Sequence, residues 1–414
     1  MIAPSFSGQP AAPTSMVLSA MLWAALAAYA LYIGVSLGQQ WDLRIFHAAP
    51  VALSTGANPY DLSDASLGYP PNLAFLYPPL SLYVLEPLSF LPYRAAHLIW
   101  FVLKIAALYA LVRIWHVHFE RLSPMWPTVL FLAFAFNATI LRDLKAGNLS
   151  IFEQLGIWFA FSLLLRDRAY SAGLILAAVA QFKLVPIVLL GLWLFIGPRP
   201  RWKPFVLSLG VFVALLTLNF LLQPDMTRQF IDLLMSPSHP NLDERGAINP
   251  SNLAFARDIV EKVGQMGMPI GRSAANMAFA ACVALLALGS LWLVWKRPAA
   301  IERDPRWTIY VGCVLYALTM PRMKDYSYII MLIPSLYVVR EIMVGKLQQA
   351  SLFPLIAVIM LPHIKVSNTG GLDWLPAYVP LLAAWCVLYY LVRLRLDEFW
   401  PASVQRMEEP SQRL

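Results

Sequence analysis

The chain has 414 residues, of which 59% are hydrophobic and only 13% charged, and its 31 basic against 23 acidic residues leave a formal charge of +8. Soluble globular domains carry about 25% charged residues, so this composition excludes a soluble enzyme and indicates an integral membrane protein. The basic residues lie in short loops between apolar runs, which is a topology signal and removes the usual reason to expect a nucleic-acid partner.

No Lys, Arg, Asp, Glu or His precedes Asp42. Met16 to Leu37 is long enough to span a bilayer and lacks the basic start and cleavage site of a removed signal, so it is read as a retained helix. Further candidate spans follow at 74–91, 95–115, 127–141, 149–165, 170–196, 204–222, 274–295, 308–320, 327–339, 350–362 and 376–393. The expectation is an all-α polytopic transmembrane bundle of about twelve helices, one integral membrane domain over 1–414. The loops Pro198 to Lys203, Lys296 to Arg306 and Arg340 to Lys346, with the 394–414 tail, hold most of the Lys and Arg and are assigned to the cytoplasm. Counting crossings from them puts the two long loops, 38–73 and 223–273, together on the outer face and both termini inside. The basic triplet Arg166 to Arg168 then falls outside, unless Gln181 to Pro186 breaks its segment into a re-entrant hairpin that returns it to the inner side.

Cys282, Cys313 and Cys386 sit inside apolar runs and are read as small core residues, with no disulfide or metal spacing. No metal-binding cluster or nucleotide loop is recognised; Asp61 and Asp64 read as surface acids, and no cofactor is expected. Asn137 and Asn148 head N-x-S/T triplets at the membrane edge, where a glycan has little room. Arg142, Asp143 and Lys145 read as a solvated turn between spans.

Asp42 is the first charge, in WDLRIFH. If a helix continues through it, Asp42 and Arg44 lie about 200° apart and cannot neutralise each other. Apolar neighbours desolvate the charged form of such an acid and make it a proton acceptor for a hydroxyl; the alternative is an interfacial acid in a structural salt bridge. The loop that follows is rich in Gly, Pro, Asn and Tyr, so it folds with fixed turns and presents Tyr60 and Tyr77. Lys183, mid-segment in AQFKLVP, costs about 2.5–3.5 kcal/mol to insert unless it meets a cavity or a partner, or snorkels at the break beside Pro186. Arg322 and Lys324 lie between two spans, on the outer face by the same count. Arg44 suits a phosphate or a lipid headgroup. His47 reads as a packing residue, and Asn249 and Asn252 as sugar or phosphate contacts or as a helix cap.

The order D-x-x-x-F-x-x-A-x-x-A-L (Asp42 to Leu53), G-x-N-P-Y (Gly56 to Tyr60), Y-P-P-L (Tyr77 to Leu80) and P-L-x-x-L-P (Pro87 to Pro92) resembles glycosyltransferase family 87. G-N-L-S (Gly147 to Ser150), the run Ala172 to Pro186 and N-P-S-N (Asn249 to Asn252) extend the resemblance over roughly residues 20–340. The resemblance implies a GT-C type membrane fold and an inverting sugar transfer from a polyprenyl-phosphate donor to a hydroxyl of a glycolipid or glycan. Mannose is the favoured sugar because the family includes phosphatidylinositol mannoside mannosyltransferases. It implies a site on the outer face of a bacterial plasma membrane, with Asp42 as general base. Lys183, Arg322, Lys324 and Arg44 would hold the phosphate, and Tyr60, Tyr77, Asn249, Asn252 and Tyr326 would contact sugar or acceptor. The segment around Tyr326 and Tyr328 lacks the histidine that relatives commonly carry there. The competing reading is a transporter or lipid flippase, which would be expected to show paired, symmetry-related halves; none is visible.

Overall fold

The computed structural model describes residues 13–37, 39–60, 75–197, 199–235, 244–268, 271–295, 305–345, 352–361 and 374–399. Asp61 and Asp64, most of the basic loop 296–306 and the tail beyond 399 lie outside the described residues. Among the described residues the structure is helical, with one isolated bridge between Gly246 and Asn249 and no strand. A backbone in lipid must satisfy its own amides, and the helix does so within each segment.

Among the described residues, six helices are long and apolar enough to cross a membrane. They are α1 (Pro13–Val35), α4 with its terminal π-turn (Tyr93–Phe119), α8 (Trp202–Leu222), α11 (Arg272–Trp295), α13 with the 3₁₀ turn before it (Asp325–Met343), and α15 with the 3₁₀ turn before it (Leu375–Leu394). A bent pair, α5 (Trp126–Ala146) and α6 (Ser150–Leu165), meets at 116° and makes a seventh if counted as one span. The expected twelve crossings are therefore not what these lengths provide. Counting every apolar run as a crossing treats short buried helices as spans. The run 170–196 is one such case: α7 (Ala169–Val179) and a 3₁₀ helix (Val185–Leu194) form a hairpin. Eleven α-helical residues rise about 16 Å, half of a bilayer core. The hairpin's outer ends meet where Arg201 pairs with Asp167 at 2.9 Å, and Trp193 Nε1 donates to Ala169 O. This hairpin has the shape that the re-entrant alternative requires, with Lys183 at its tip.

The buried centre is built from the Asp325–Met343 segment, α6 and α12 (Pro305–Thr319), while α1 and α11 keep most of their surface outward. Trp158 on α6 packs edge-on against Trp115 and Phe119. Gly173 brings α7 against α8 so closely that a Cβ there would sit 1.9 Å from Ser208 Oγ, the small-residue contact typical of membrane helices.

The two long loops contain helices. The first long loop carries α2 (Trp41–Ser54) and the second carries α9 (Pro224–Met235) and α10 (Asn252–Gln265), the last two amphipathic. Cys313 is buried and Cys282 and Cys386 half-buried, all as free thiols.

Candidate active site

Asp42 does not continue α1. That helix ends at Val35; Gln40 then adopts a left-handed conformation (φ 57°) and α2 starts afresh at Trp41, with Asp42 in its first turn. The Gln40 backbone amide donates to Lys145 O at 2.7 Å, which pins the start of α2 to the last turn of α5 and the loop that follows it. Gly147 in that loop is left-handed as well (φ 73°), and a Cβ there would lie 2.8 Å from Gln40 Cβ. A glycine is needed for both reasons.

The 143–149 loop is held from behind by α4. Trp100 Nε1 donates to Gly147 O at 2.8 Å; one turn on, Lys104 Nζ donates to Asp143 O and Asn148 O, each at 2.7 Å. Positions four apart share a helix face, so one stripe of α4 binds the whole loop. Lys104 also pairs with Asp143 Oδ2 at 2.6 Å, both side chains being fully buried. The triplet Arg142, Asp143, Lys145 is therefore not a solvated turn: Asp143 is core, and Arg142 pairs with Asp325 at 2.5 Å. A lysine at a helix C-terminus also meets the negative end of the helix dipole.

The loop so held aims Asn148 at Asp42. Asn148 Nδ2 donates to Asp42 Oδ2 at 2.7 Å, with the hydroxyls of Tyr326 and Tyr77 at 3.2 and 3.4 Å. Asn148 Oδ1 accepts from Ser150 N and Ser150 Oγ, and Ser150 Oγ in turn accepts from Lys183 Nζ at 2.8 Å. A single line of hydrogen bonds thus joins Asp42 to Lys183, which ends on Glu153 at 2.6 Å. Asp42 itself has no ion-pair partner among the described residues. Burial pushes its carboxyl above the ordinary aspartate range, and the Asn148 donation and the charges of Lys324, Lys104 and Lys183 offset this only in part. Burial and the charge of Asp42 likewise push the Tyr77 phenol up.

Two cavities meet at Asp42. The first, about 320 Å³, is lined by Tyr77, Lys183, Glu153, Arg322, Lys324 and Phe182 among others. The second, about 770 Å³, lies between α1 and α5 and is lined by Leu22, Tyr29, Asn137, Arg142 and Lys145. Asp42, Glu244, Lys324 and Tyr326 line both. Within α5, Phe136, Asn137 and Ala138 are left-handed (φ 51°, 61° and 58°), breaking the helix where the second cavity touches it. Non-glycine residues hold that conformation at about 1–2 kcal/mol each, and such strain collects at ligand sites. Arg322 and Lys324 both contact Glu244, the arginine at 2.8 Å. Burial and then the charge of Arg322 pull the Lys324 ammonium below its ordinary range.

Of the residues singled out in the sequence, Asp42, Lys183, Arg322, Lys324, Tyr77 and Tyr326 converge here, and Lys183 also lies 5.8 Å from the centre of the Tyr326 ring. Four do not. Arg44 donates to Leu37 O and lines neither cavity. Tyr60 is buried and donates to Tyr77 O at 2.7 Å, so it shapes the loop. Asn249 accepts from Met323 N and donates to Glu244 O, tying the second long loop to the segment that bears the cations. Asn252 donates to Leu318 O and accepts from Trp385, while the cap of α10 is Ser251. His47 packs against Tyr93 and bonds Leu91 O, as expected of a packing residue. Asn148, Glu153, Glu244 and Lys104 escaped the sequence reading. A lysine inside an apolar run was the available signal for Lys104; Glu244 had none, because its partners lie 78 and 80 positions away in the chain.

A model of glycosyltransferase family 87 matches residues 75–321. Two curated relatives carry the name polyprenol-phosphate-mannose-dependent alpha-(1-2)-phosphatidylinositol pentamannoside mannosyltransferase. The protein of Mycolicibacterium smegmatis is 29% identical over 197 residues, 47% of this chain and 46% of its own. The protein of Mycobacterium tuberculosis is 25% identical over 307 residues, 71% of this chain and 64% of its own. The matches thus span roughly half to just under two thirds of the relatives' lengths.

Proposed function

Because the chain belongs to glycosyltransferase family 87, we propose that it is a membrane mannosyltransferase taking its sugar from a polyprenyl-phosphate donor. The acceptor is a hydroxyl of a glycolipid or glycan, reached on the extracytoplasmic side. The observation that carries this reading is the place of Asp42, an acid with no ion-pair partner among the described residues, at the junction of a cation-lined cavity and a second, larger one. The names of the two mycobacterial relatives supply mannose, the lipid-phosphate donor and a phosphatidylinositol mannoside as the kind of acceptor.

The donor phosphate occupies the first cavity, against Arg322, Lys324 and Lys183. Its hydrocarbon chain follows an apolar groove of about 420 Å³ between the Val185–Leu194 helix, α11 and α12, lined by Leu192, Phe195, Leu286, Val311 and Leu315. Tyr316 is a wall of both groove and cavity, which supports a path from the lipid end to the phosphate end. The acceptor enters the second cavity. Its hydroxyl oxygen attacks the anomeric carbon as Asp42 takes the proton, and the bond from that carbon to the phosphate oxygen breaks with its electron pair leaving on phosphate. A single displacement inverts the anomeric centre. Burial makes Asp42 a stronger base than an exposed aspartate, and the cations stabilise the charge that develops on the leaving group.

Purified protein in vesicles, given polyprenyl-phosphate donors bearing radiolabelled mannose, glucose or arabinose and a mannosylated lipid acceptor, tests the reading. Transfer is expected from the mannosyl donor with the opposite anomeric configuration in the product. Preference for another sugar refutes the mannose assignment, and no transfer from any lipid-phosphate donor refutes the whole.

A further inference from the structure

All three cations of the first cavity are already paired. Lys183 is held by Glu153, and Arg322 and Lys324 share Glu244. Among the described residues the cavity wall thus carries three cations against the carboxylates Asp42, Glu153 and Glu244, and at ordinary charges these cancel before any donor arrives. A neutral, partly buried wall has little to offer a phosphodiester unless one carboxylate leaves. Glu153 is poorly placed to do so, being on the first turn of α6 with its side chain 5% exposed and its lysine also fixed by Ser150. Glu244 is better placed. It lies on a non-helical segment, its side chain is 17% exposed, and it borders the second cavity, whose wall also holds Lys145 and Arg142, the latter paired with Asp325. Arg322 adds a separate sign: its Nε is buried without a hydrogen-bond partner, so Glu244 leaves one donor of the guanidinium unused.

We propose that Glu244 is an exchangeable stand-in for the donor phosphate: it holds Arg322 and Lys324 in the empty enzyme, and the incoming phosphate takes its place as the carboxylate turns toward the second cavity. The inference rests on the reading that these cations bind phosphate. Charge balance supports it at each stage. With Glu244 displaced the wall is +1, matching the single negative charge of a phosphodiester. After transfer Asp42 holds the acceptor's proton and the wall is +2, matching a phosphate monoester of about −1.5 to −2. Once Asp42 gives up that proton the match is lost, and the return of Glu244 helps to expel the product. A carboxylate that occupies the site also lowers the apparent affinity by the fraction of time it is there.

The test measures binding of polyprenyl phosphate to wild-type protein and to Glu244→Gln, Arg322→Gln and Lys324→Gln, with donor KM and kcat beside it. Glu244→Gln is nearly isosteric and keeps the backbone carbonyl that Asn249 uses. It is expected to bind the phosphate about tenfold tighter, lower the donor KM, and lower kcat because the product leaves slowly. A merely structural role moves affinity the other way. Unchanged or weaker binding by Glu244→Gln, with Arg322→Gln and Lys324→Gln still weakening it, overturns the exchange and spares the phosphate site. No effect of Arg322→Gln or Lys324→Gln overturns the phosphate reading itself. A wild-type structure with polyprenyl phosphate bound gives an answer independent of any variant: Glu244 should be off both cations, and Glu244 still on them with phosphate bound overturns the proposal.

Discussion

Replacing Lys104 with methionine strikes the support beneath the site without touching either cavity. The ammonium is fully buried and makes three contacts within 2.7 Å: Asp143 Oδ2, Asp143 O and Asn148 O. Methionine nearly matches its length, so the change is chiefly the loss of a charge. Breaking a buried pair from one side costs roughly 3–5 kcal/mol, because the partner stays behind uncompensated. Asp143 O keeps the amide of Gly147 at 2.9 Å, whereas Asn148 O loses the ammonium donor, at about 1–3 kcal/mol more if no other donor replaces it. Against a total stability of about 5–15 kcal/mol, this is a severe loss. Denaturant or thermal unfolding in detergent of wild type, Lys104→Met and the double variant Lys104→Met/Asp143→Leu measures it. The double variant removes both charges and is expected to recover part of the loss. A single variant as stable as wild type, or a double variant less stable than the single, refutes the reasoning.

Gly147→Ala is expected to slow transfer more than it unfolds the protein, since its Cβ would press on Gln40 at the start of α2 and move Asp42; unchanged kcat and stability would count against that packing. The rate should depend on an acidic group whose limb lies above the ordinary aspartate range, because burial raises Asp42 and a base works only when ionised: activity is present at high pH and falls as pH drops through that value. Asn148→Leu removes a donor that favours the charged form, so the acid limb should move to still higher pH, and a limb that stays put shows that Asn148 does not tune the carboxylate.

Much of this arrangement was legible in the sequence. The absence of charge before Asp42, the lone lysine of AQFKLVP and the two cations after Met320 each mark a charge in or beside an apolar run, and such charges seek partners or cavities. What pairs with them was not legible. Glu153 reaches Lys183 across a hairpin, and Glu244 reaches Arg322 and Lys324 across α10, α11 and α12, so no local spacing announces either contact. The break between Val35 and Trp41 depends on a left-handed glutamine held by a distant carbonyl, which residue type alone does not reveal. The count of about twelve spans goes beyond the six or seven that length and composition support among the described residues. Hydropathy cannot tell a crossing helix from half of a hairpin, and the pairing of Asp167 with Arg201, which brings the two ends of the 169–194 hairpin together, is a contact between distant positions. Asn249 and Asn252 suit a sugar by chemistry, but the fold uses their amides to tie backbone segments together.

If Asp42 is the proton acceptor, Asp42→Asn removes it with the least disturbance of the site. The variant keeps the shape and cannot take the proton. Polyprenyl phosphate should bind it nearly as tightly as wild type, while mannosyl transfer falls by about 10²- to 10⁴-fold. Transfer at close to the wild-type rate by a variant that binds the lipid phosphate normally would contradict it.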